Sequence, residues 1–423
     1  MKILFLSDDF PPESFGGAGK VAFDLARGLQ KAGHQIFIIT TVRERFDEGS
    51  IDYQGLKIFR IFSDYHEKWR AYLSLYNPQT AGKVKELIRE IKPDIIHAQN
   101  IHYYLSYSCL KIAKKHSKAV FLTAHDVMLV HYGKWRSKFP NDYKITALDQ
   151  IREVKKRYNP FRNLIIRYFL KYVDKIFAVS NSLKELLEAN GIKNIKTIHN
   201  GINVADWQAD NEEVKEFKQK YNLQNKRVIL FGGRLSGLKG GEEIVKAVRG
   251  AARRIPSVVL LVAGEKEGFA KKMLLVSQEL GVRDNLIFTG WLDGNEMRLA
   301  YHGCEIVTVP SIYLDPFPTV NLEAMACRKP VVGTCFGGIP EIVQNGITGY
   351  IVNPFNTDLM AAKIIDLLKN HQKAKQFGEA GYERVKKYFS LDSQVTKTIA
   401  WYQKMLGGKK RNPKNHRKFE LLS

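Results

Sequence analysis

The chain has 423 residues, and its 66 Lys and Arg against 43 Asp and Glu give a formal net charge of +23. A hydrophobic fraction of 44% is typical of a globular protein and excludes disordered and collagen-like chains, while the length suggests two or three domains. No apolar run reaches the roughly 20 residues of a membrane-crossing helix, and the N-terminal MKILFLS lacks the features of a signal peptide. We therefore expect a cytoplasmic protein whose positive charge favours nucleic acid, an anionic membrane face or a phosphorylated substrate.

Short β-branched runs alternate with amphipathic helical segments along nearly the whole chain, which is the pattern of βα units on a parallel sheet. The first half contains KILFLS, QIFIIT, LKIFRIF, DIIHAQ, AVFLTAH, KIFAVS and IKTIHNG. The second half contains RVILFGG, VVLLVAG, LIFTGW, EIVTVPS, PVVGT and TGYIV. After the first run, Val21, Leu25 and Leu29 recur at helical spacing. The sequence therefore predicts an α/β fold with two parallel-sheet domains.

The domain boundary is predicted near Val204, because the polar segment NEEVKEFKQKYNLQNK separates the two sets of strands. This divides the chain into domains at 1–203 and 204–387. Residues 388–406 are predicted to form a last helix, which no strand follows. Residues 407–423, with six Lys or Arg and one Glu, are predicted to be a disordered basic tail.

Residues 132–175 interrupt the alternation of strands and helices. Among many Lys and Arg they carry Trp135, Phe139, Phe161, Tyr168 and Phe169. Such a segment forms either ordinary surface helices or a helical face that meets an anionic membrane or a lipid-linked acceptor, because basic and aromatic side chains together favour the headgroup zone. Both alternatives remain open.

The first candidate ligand site is PPESFGGAGK, between the first strand and its helix. Glycine lets a backbone approach a ligand closely, and the free N–H groups at a helix start attract anions, so Gly16 and Gly17 are candidate phosphate neighbours. A turn that requires glycine is the alternative. The Gly17-x-Gly19-x-x-Ala22 spacing resembles a dinucleotide fingerprint only weakly, since it lies far from the strand and no acidic residue ends QIFIIT.

The second candidate site is the loop in FGGRLSGLKGGEEIVKAV. Arg234 and Lys239 lie there at the carboxyl end of a predicted strand, where open α/β sheets bind ligands. A guanidinium fork and a mobile ammonium aimed at one place suit a pyrophosphate, whereas the alternative is a solvated pair of cations.

The third candidate site is PSIYLDPFPTVNLEAMA. Pro316 and Pro318 keep the loop from being helical, so a helix is predicted to begin near Thr319. Glu323 then lies in or just after the first turn, and Asp315 lies in the loop. We expect one cleft bordered by helix amides, which suit phosphate, and by carboxylates, which suit sugar hydroxyls.

Together these motifs resemble the retaining glycosyltransferases of family four, which have the two-domain GT-B fold. The resemblance extends to about Leu406. It includes the Gly16-Gly17 loop, Arg234 and Lys239, the stretch PSIYLDPFPTVNLEAMA in place of the family's glutamate–seven residues–glutamate signature, and the downstream PVVGTCFGGIPEIVQNGITGYIV. Two departures stand out: Asp315 replaces the first glutamate, and prolines occupy positions where the family usually has glycines.

The resemblance implies two Rossmann-like domains facing each other across a cleft, with the acceptor on the first and the donor on the second, and a final helix that crosses back to the first. Arg234 and Lys239 would stabilise the departing diphosphate, Glu323 would hold the ribose, and Asp315 would contact the donor sugar. His125, in TAHDVML, would contact that sugar near the reacting carbon, unless it only fills a strand end. The implied donor-binding set is Gly16, Gly17, Arg234, Lys239, Gly264, Phe317, Thr319, Val320 and Glu323.

The implied activity is transfer of a sugar, with retention, from a UDP- or GDP-sugar to a saccharide or lipid-linked acceptor, in polysaccharide or glycolipid synthesis. The location would be the cytoplasm or, peripherally, the inner face of the membrane. A sugar-nucleotide epimerase or hydrolase of the same fold is one alternative. A nucleic-acid-binding protein is another, although the sequence has no signature of a nucleic-acid-binding module.

Metal and cofactor chemistry finds no support in the sequence. The four cysteines form no Cys-x-x-Cys pair, the histidines apart from His125 show no metal spacing, and no Asp-x-Asp occurs. We expect reduced thiols, no cofactor and no essential metal.

Overall fold

A computed structural model of the chain describes residues 1–13, 16–136, 142–233, 235–265 and 267–407. These residues form two α/β units, each built on its own sheet. The two sheets confirm the predicted fold class. The basic tail, beyond residue 407, and Phe139 lie outside the described residues.

The first sheet has eight strands in the order β3-β4-β2-β1-β5-β6-β7-β8. The strands are β1 Lys2–Leu6, β2 Gln35–Val42, β3 Gly49–Tyr53, β4 Leu56–Phe62, β5 Ile95–Ala98, β6 Ala119–Ala124, β7 Lys175–Ala178 and β8 Ile195–Thr197. All pairs are parallel except β3 with β4. The sequence prediction missed β3, because this edge strand is largely exposed and lacks an apolar run.

In the described part of the chain, seven α-helices connect these strands. They are α1 Gly17–Lys31, α2 Arg70–Leu73, α3 Pro78–Ile91, α4 Cys109–His116, α5 Ala147–Val154, α6 Arg162–Leu170 and α7 Asn181–Ala189. In α1 the predicted stripe of Val21, Leu25 and Leu29 is buried. The start of α7 is fixed by Ser180, whose side chain accepts a hydrogen bond from the Leu183 amide.

The second sheet has six parallel strands in the order β11-β10-β9-β12-β13-β14. The strands are β9 Arg227–Gly232, β10 Val258–Ala263, β11 Leu286–Gly290, β12 Ile306–Val309, β13 Val331–Thr334 and β14 Gly349–Val352. The helices are α8 Asn211–Lys220, α9 Gly241–Ala252, α10 Phe269–Glu279, α11 Gly294–Gly303, α12 Thr319–Ala326, α13 Ile339–Ile342, α14 Thr357–Lys369, α15 His371–Tyr388 and α16 Leu391–Gly407.

The chain crosses between the units twice, and the two crossing segments are hydrogen-bonded to each other. The Ile202 amide donates to the Phe389 carbonyl at 2.9 Å, and the Leu391 amide donates to the Ile202 carbonyl at 3.0 Å. After the second crossing, α16 packs on α1 of the first unit. The Tyr402 hydroxyl, fully buried, lies 2.6 Å from Nδ1 of His97 in β5. The last helix therefore completes the core of the first unit.

Among the described residues, no helix combines the length and the apolar character needed to cross a membrane.

Candidate active site

Loops at the carboxyl ends of the two sheets meet between the units. The Leu314 amide, after β12, donates to the carbonyl of Trp135, after β6, at 2.9 Å. The Lys134 ammonium lies 4.8 Å from the ring centroid of Tyr313. The predicted residues after β6 and after β12 therefore border the same junction, where open α/β sheets bind ligands.

Lys239 and Asp315 form an ion pair at this junction. Lys239 Nζ lies 2.6 Å from Asp315 Oδ2, and the Ser311 hydroxyl donates to the same oxygen at 3.2 Å. The Asp315 side chain is only 8% exposed, and Lys239 also lies over the Tyr313 ring. Burial and the Asp315 charge raise the pKa of Tyr313, so its phenol stays protonated at neutral pH. Asp315 is thus held by a cation and a hydroxyl rather than left in solvent.

Glycine fixes the path of the loop that carries Lys239. Gly240 has φ +79°, and a Cβ there would lie 1.9 Å from the carbonyl oxygen of Pro310. Only glycine tolerates both the left-handed backbone and this close approach. Arg234, the predicted partner of Lys239, lies outside the described residues.

Two further glycines, Gly337 and Gly338, pack against the backbone of the Asp315 loop. The Gly338 amide donates to the Asp315 carbonyl at 2.9 Å. A Cβ on Gly337 would lie 2.2 Å from that carbonyl oxygen, and one on Gly338 would lie 2.0 Å from the carbonyl oxygen of Pro316. The Gly-Gly-x-Pro-Glu motif therefore serves the Asp315 loop as packing.

Glu341, which ends that motif, connects the two units. Its carboxylate accepts the amides of Asn181 and Ser182, at the start of α7, at 2.9 and 2.8 Å. Its Oε2 also lies 2.9 Å from Nε2 of His199. A negative charge at a helix N-terminus is favourable, so this contact stabilises the junction.

The helix predicted to start near Thr319 is α12, which begins at Thr319. The amides of Thr319 and Val320 occupy its first positions, where an α-helix offers no internal acceptor. Phe317, by contrast, buries its ring against His199 and Phe389, at centroid distances of 5.1 and 5.6 Å. Its side chain therefore packs against the two segments that cross between the units.

Glu323 lies on α12 and is half-buried. The hydroxyl of Tyr301, on α11, donates to its Oε2 at 2.6 Å. Burial raises the pKa of Glu323, while the hydrogen bond from Tyr301 and the charge of Lys20, on α1, oppose this shift. The carboxylate retains oxygen lone pairs that can accept further hydrogen bonds from hydroxyl groups.

His125 follows β6 in the first unit. Its Nε2 lies 2.7 Å from Oε1 of Gln99, which fixes the ring. Burial lowers the pKa of His125 to about 4, with Asp126 acting in the opposite direction, so the imidazole is neutral at pH 7. A neutral imidazole can donate and accept hydrogen bonds and adds no positive charge to the junction.

The glycines at the start of α1 do not require a glycine-only backbone. Gly16 has φ −61° and precedes the helix, and Gly17 has no left-handed φ. A Cβ on Gly17 would meet no heavy atom of the described residues within 4 Å. These backbone angles do not require glycine for a turn, and the close approach of a ligand to Gly16 and Gly17 stays a prediction.

Gly264, after β10, has a packing reason. A Cβ there would lie 2.6 Å from Cγ of Leu235 and 2.8 Å from the carbonyl oxygen of Gly233. The residue thus allows the loop after β9 to lie against the end of β10.

Tyr301, Ser311, Gln99 and Glu341 were not among the predicted site residues. Tyr301, Ser311 and Gln99 each contact a predicted site residue, whereas Glu341 joins the two units. Ser311 is four residues from its partner Asp315, but the partners of the other three are more than 20 positions away in sequence. Only Ser311 and Glu341 had a sequence signal, because both stand inside motifs already identified. In the described part of the chain, no group of three or more His, Cys, Asp or Glu is arranged to hold a metal ion.

Two family models match the chain in succession. The model described as Glycosyltransferase Family 4 matches residues 15–206, and the one described as Glycosyl transferases group 1 matches residues 213–384. An uncharacterized glycosyltransferase of Methanocaldococcus jannaschii is 26% identical over 95% of this chain and 98% of its own. The N-acetyl-alpha-D-glucosaminyl L-malate synthase of Bacillus anthracis is 26% identical over 93% and 95% of the two chains.

Solved structures share the fold. Sucrose-phosphate synthase from Thermosynechococcus elongatus superposes with a TM-score of 0.76, at 20% identity, over 96% of this chain and 99% of that one. Anabaena HepE in complex with UDP and glucose has a TM-score of 0.71, at 18% identity, over 95% and 100% of the chains. At these identities the likeness concerns the fold alone.

Proposed function

We propose, from the premise that this chain belongs to the glycosyltransferases of group 1 and family 4, that it transfers a glycosyl group with retention from a nucleoside-diphosphate sugar bound between its two units. The observation that carries this proposal is the ion pair between Lys239 and the buried Asp315, beside the first turn of α12. It combines a cation and helix amides for the diphosphate with carboxylates for hydroxyls.

The roles follow from charge development during transfer. As the bond to the diphosphate breaks, negative charge grows on the phosphate oxygens and positive charge on the sugar. Lys239 and the amides of Thr319 and Val320 would stabilise the departing diphosphate, with Arg234 as the second cation. Glu323 would accept the ribose hydroxyls, and Asp315 would hold the donor sugar. The leaving phosphate oxygen would take the acceptor's proton on the face it vacates, which retains the anomeric configuration.

The acceptor in this proposal is a saccharide or a lipid-linked saccharide bound by the first unit, in polysaccharide or glycolipid synthesis. His125 would lie beside the donor sugar, at the boundary with the acceptor. A UDP-sugar is the first donor to test, since the HepE complexes contain UDP and glucose. A thermal-shift screen of UDP- and GDP-sugars identifies the donor, because a ligand of the native state raises the melting temperature.

The decisive variant is Lys239→Ala, with Lys246→Ala as its control. Lys246 lies on α9, close in sequence, and is exposed. Loss of a contact to developing charge typically costs on the order of 100-fold in kcat, so we expect such a loss in Lys239→Ala and none in the control. A loss below about threefold would remove the proposed role of Lys239.

The stereochemistry and the alternative activities are tested on the same preparation. Proton NMR of the first product formed distinguishes retention from inversion before anomers equilibrate. Donor consumption that proceeds equally without acceptor would replace the proposal with an epimerase or a hydrolase.

A further inference from the structure

Exposed apolar side chains are concentrated on one side of the first unit. Of the fifteen large hydrophobic side chains that are exposed among the described residues, eight lie in the stretches 69–76 and 148–168. We name the following six the apolar face: Trp69, Tyr72, Leu148, Ile151, Phe161 and Leu164. The face combines the connection before α3 with helices α5 and α6.

Hydrogen bonds join the three parts of this face into one surface. Asn159, just before α6, donates from Nδ2 to the carbonyl of Ala71, in α2, at 3.1 Å. Asn163, in α6, donates from Nδ2 to Oε1 of Gln150, in α5, at 3.1 Å. The three elements that carry the exposed apolar residues are therefore neighbours in space.

Helix α6 is apolar on two sides. Ile166 is fully buried in the core, whereas Phe161, Leu164 and Tyr168 are exposed. Their spacing of three and four residues places these exposed side chains on one stripe of the helix. On α5, Leu148 and Ile151 repeat the three-residue spacing. The core of the first unit does not account for these outward stripes.

Exposed cations border the apolar face. Arg152, Lys155, Lys156 and Arg157 are all exposed, in and just after α5. Between residues 147 and 175 there are eight Lys or Arg and three Asp or Glu. Apolar side chains flanked by cations on a helical surface are the combination that binds an anionic lipid interface.

We propose that the apolar face, with the four cations beside it, docks the protein on a bilayer that contains anionic phospholipid. A two-fold dimer through this face would set the same cations against each other, which disfavours a second copy as the occupant. Nucleic acid would pair with the cations and stack on the aromatic rings of the face, but it offers no apolar partner to Leu148, Ile151 and Leu164, which disfavours it. Lipid satisfies both features at once, since acyl chains accept the apolar side chains and phosphates accept the cations.

This docking goes beyond the proposed transfer reaction and does not depend on it. The face also belongs to the chain connection that leaves β6 after His125 and returns through α5 and α6. Docking through it would bring the acceptor side of the junction toward the lipid surface.

The test is sedimentation of the full chain with sucrose-loaded vesicles of phosphatidylcholine, with or without about one third phosphatidylglycerol. We expect binding to the anionic vesicles and little to the neutral ones. The double variant Phe161→Ser, Leu164→Ser should bind at least about tenfold more weakly, because two apolar side chains no longer enter the interface. Its matched control is Leu275→Ser, on α10 of the second unit, where Leu275 is 60% exposed, as is Leu164. The control should bind as the parent does.

Each other outcome overturns the proposal. An equal loss of vesicle binding in the double variant and in Leu275→Ser would mean that the apolar face has no special role. Unchanged vesicle binding in both variants would mean that residues outside the apolar face bind the vesicles. Binding that is equal on neutral vesicles would remove the role of charge. A dimer of the parent that the double variant converts to a monomer in sedimentation equilibrium would make the face a subunit interface. Thermal melting of all variants verifies that they are folded.

Discussion

Glu341→Gln tests whether one carboxylate holds the two units together. Glu341 accepts two amides from the start of α7 and lies beside His199, all within 2.9 Å, with 20% of its side chain exposed. Glutamine keeps the shape and one carbonyl oxygen, but it presents an NH₂ group to donors at the other position and has no charge. The variant therefore loses at least one charge-assisted hydrogen bond and weakens the contact with His199.

The magnitude follows from these contacts. A hydrogen bond to a charged group contributes about 1.5–3 kcal/mol, and the 20% exposure of the Glu341 side chain places the value toward the low end of this range. We expect a loss of about 2 kcal/mol in the free energy of unfolding. For a cooperative unit of roughly 150–250 residues, a loss of about 2 kcal/mol corresponds to a fall in Tm of about 4–8 °C.

The pH dependence provides an independent check. Burial alone would raise the pKa of Glu341, but the hydrogen bonds from His199 and from the amides of Asn181 and Ser182 lower it below its ordinary value of 4.5. A carboxyl whose pKa is lower in the folded state stabilises that state fully above its unfolded pKa and loses this contribution as the pH falls through the folded value. The difference in Tm between parent and variant should be constant near neutrality and shrink only below about pH 4.5.

The assay is calorimetry of the parent, Glu341→Gln and the control Glu379→Gln across this pH range. Glu379 pairs with Arg328 at 3.0 Å on the surface of the second unit, with half of its side chain exposed. An exposed pair of this kind contributes about 0–1 kcal/mol. The reasoning is refuted if Glu341→Gln lowers Tm no more than this control, or if the difference persists unchanged in acid.

Three further changes separate ligand contacts from packing. Gly17→Ala should leave Tm unchanged within about 2 °C, because its Cβ meets no heavy atom of the described residues within 4 Å, yet raise the KM for the donor sugar in steady-state kinetics. Asp8→Asn should lower stability by about 3 kcal/mol in urea unfolding, because its carboxylate accepts three backbone amides, whereas the exposed Asp52→Asn should cost less than about 0.5 kcal/mol. Gly240→Ala should lower Tm and weaken donor binding measured by calorimetry, since its Cβ would collide with a backbone oxygen. Its control is Gly281→Ala, because Gly281 also has a positive φ but its Cβ would meet no heavy atom of the described residues within 4 Å, so this variant should lower the free energy of unfolding by only about 1 kcal/mol. Equal effects within either control pair, or an unchanged KM in Gly17→Ala, would contradict the corresponding assignment.

The fold was predictable because its strands are buried runs with clear boundaries. All thirteen predicted strands are present. The start of α12 was predictable because Pro316 and Pro318 are disfavoured in the interior of a helix, so the helix begins after them. The missed β3 is an exposed edge strand. In this case hydrophobic patterning carries little information, because neither face of the strand needs to be apolar throughout.

The arrangement within the site was less predictable. The sequence indicates that Lys239 and Asp315 both follow strands, and loops at one sheet edge converge. It does not indicate that Lys239 pairs directly with Asp315, nor that Tyr301 contacts Glu323, because those contacts depend on side-chain directions set by the packing of whole helices. The domain limits and the roles of the site residues stay predictions.

The double crossing at Ile202 and Phe389 has a consequence for biosynthesis. The second unit is inserted, in sequence order, between the main part of the first unit and α16, whose Tyr402 fills the core beside His97. A ribosome therefore delivers the whole second sheet before the first unit receives the helix that closes its hydrophobic interior. The nascent first unit must keep an apolar surface open during that interval, so the later-made half has the opportunity to mature before the earlier-made one.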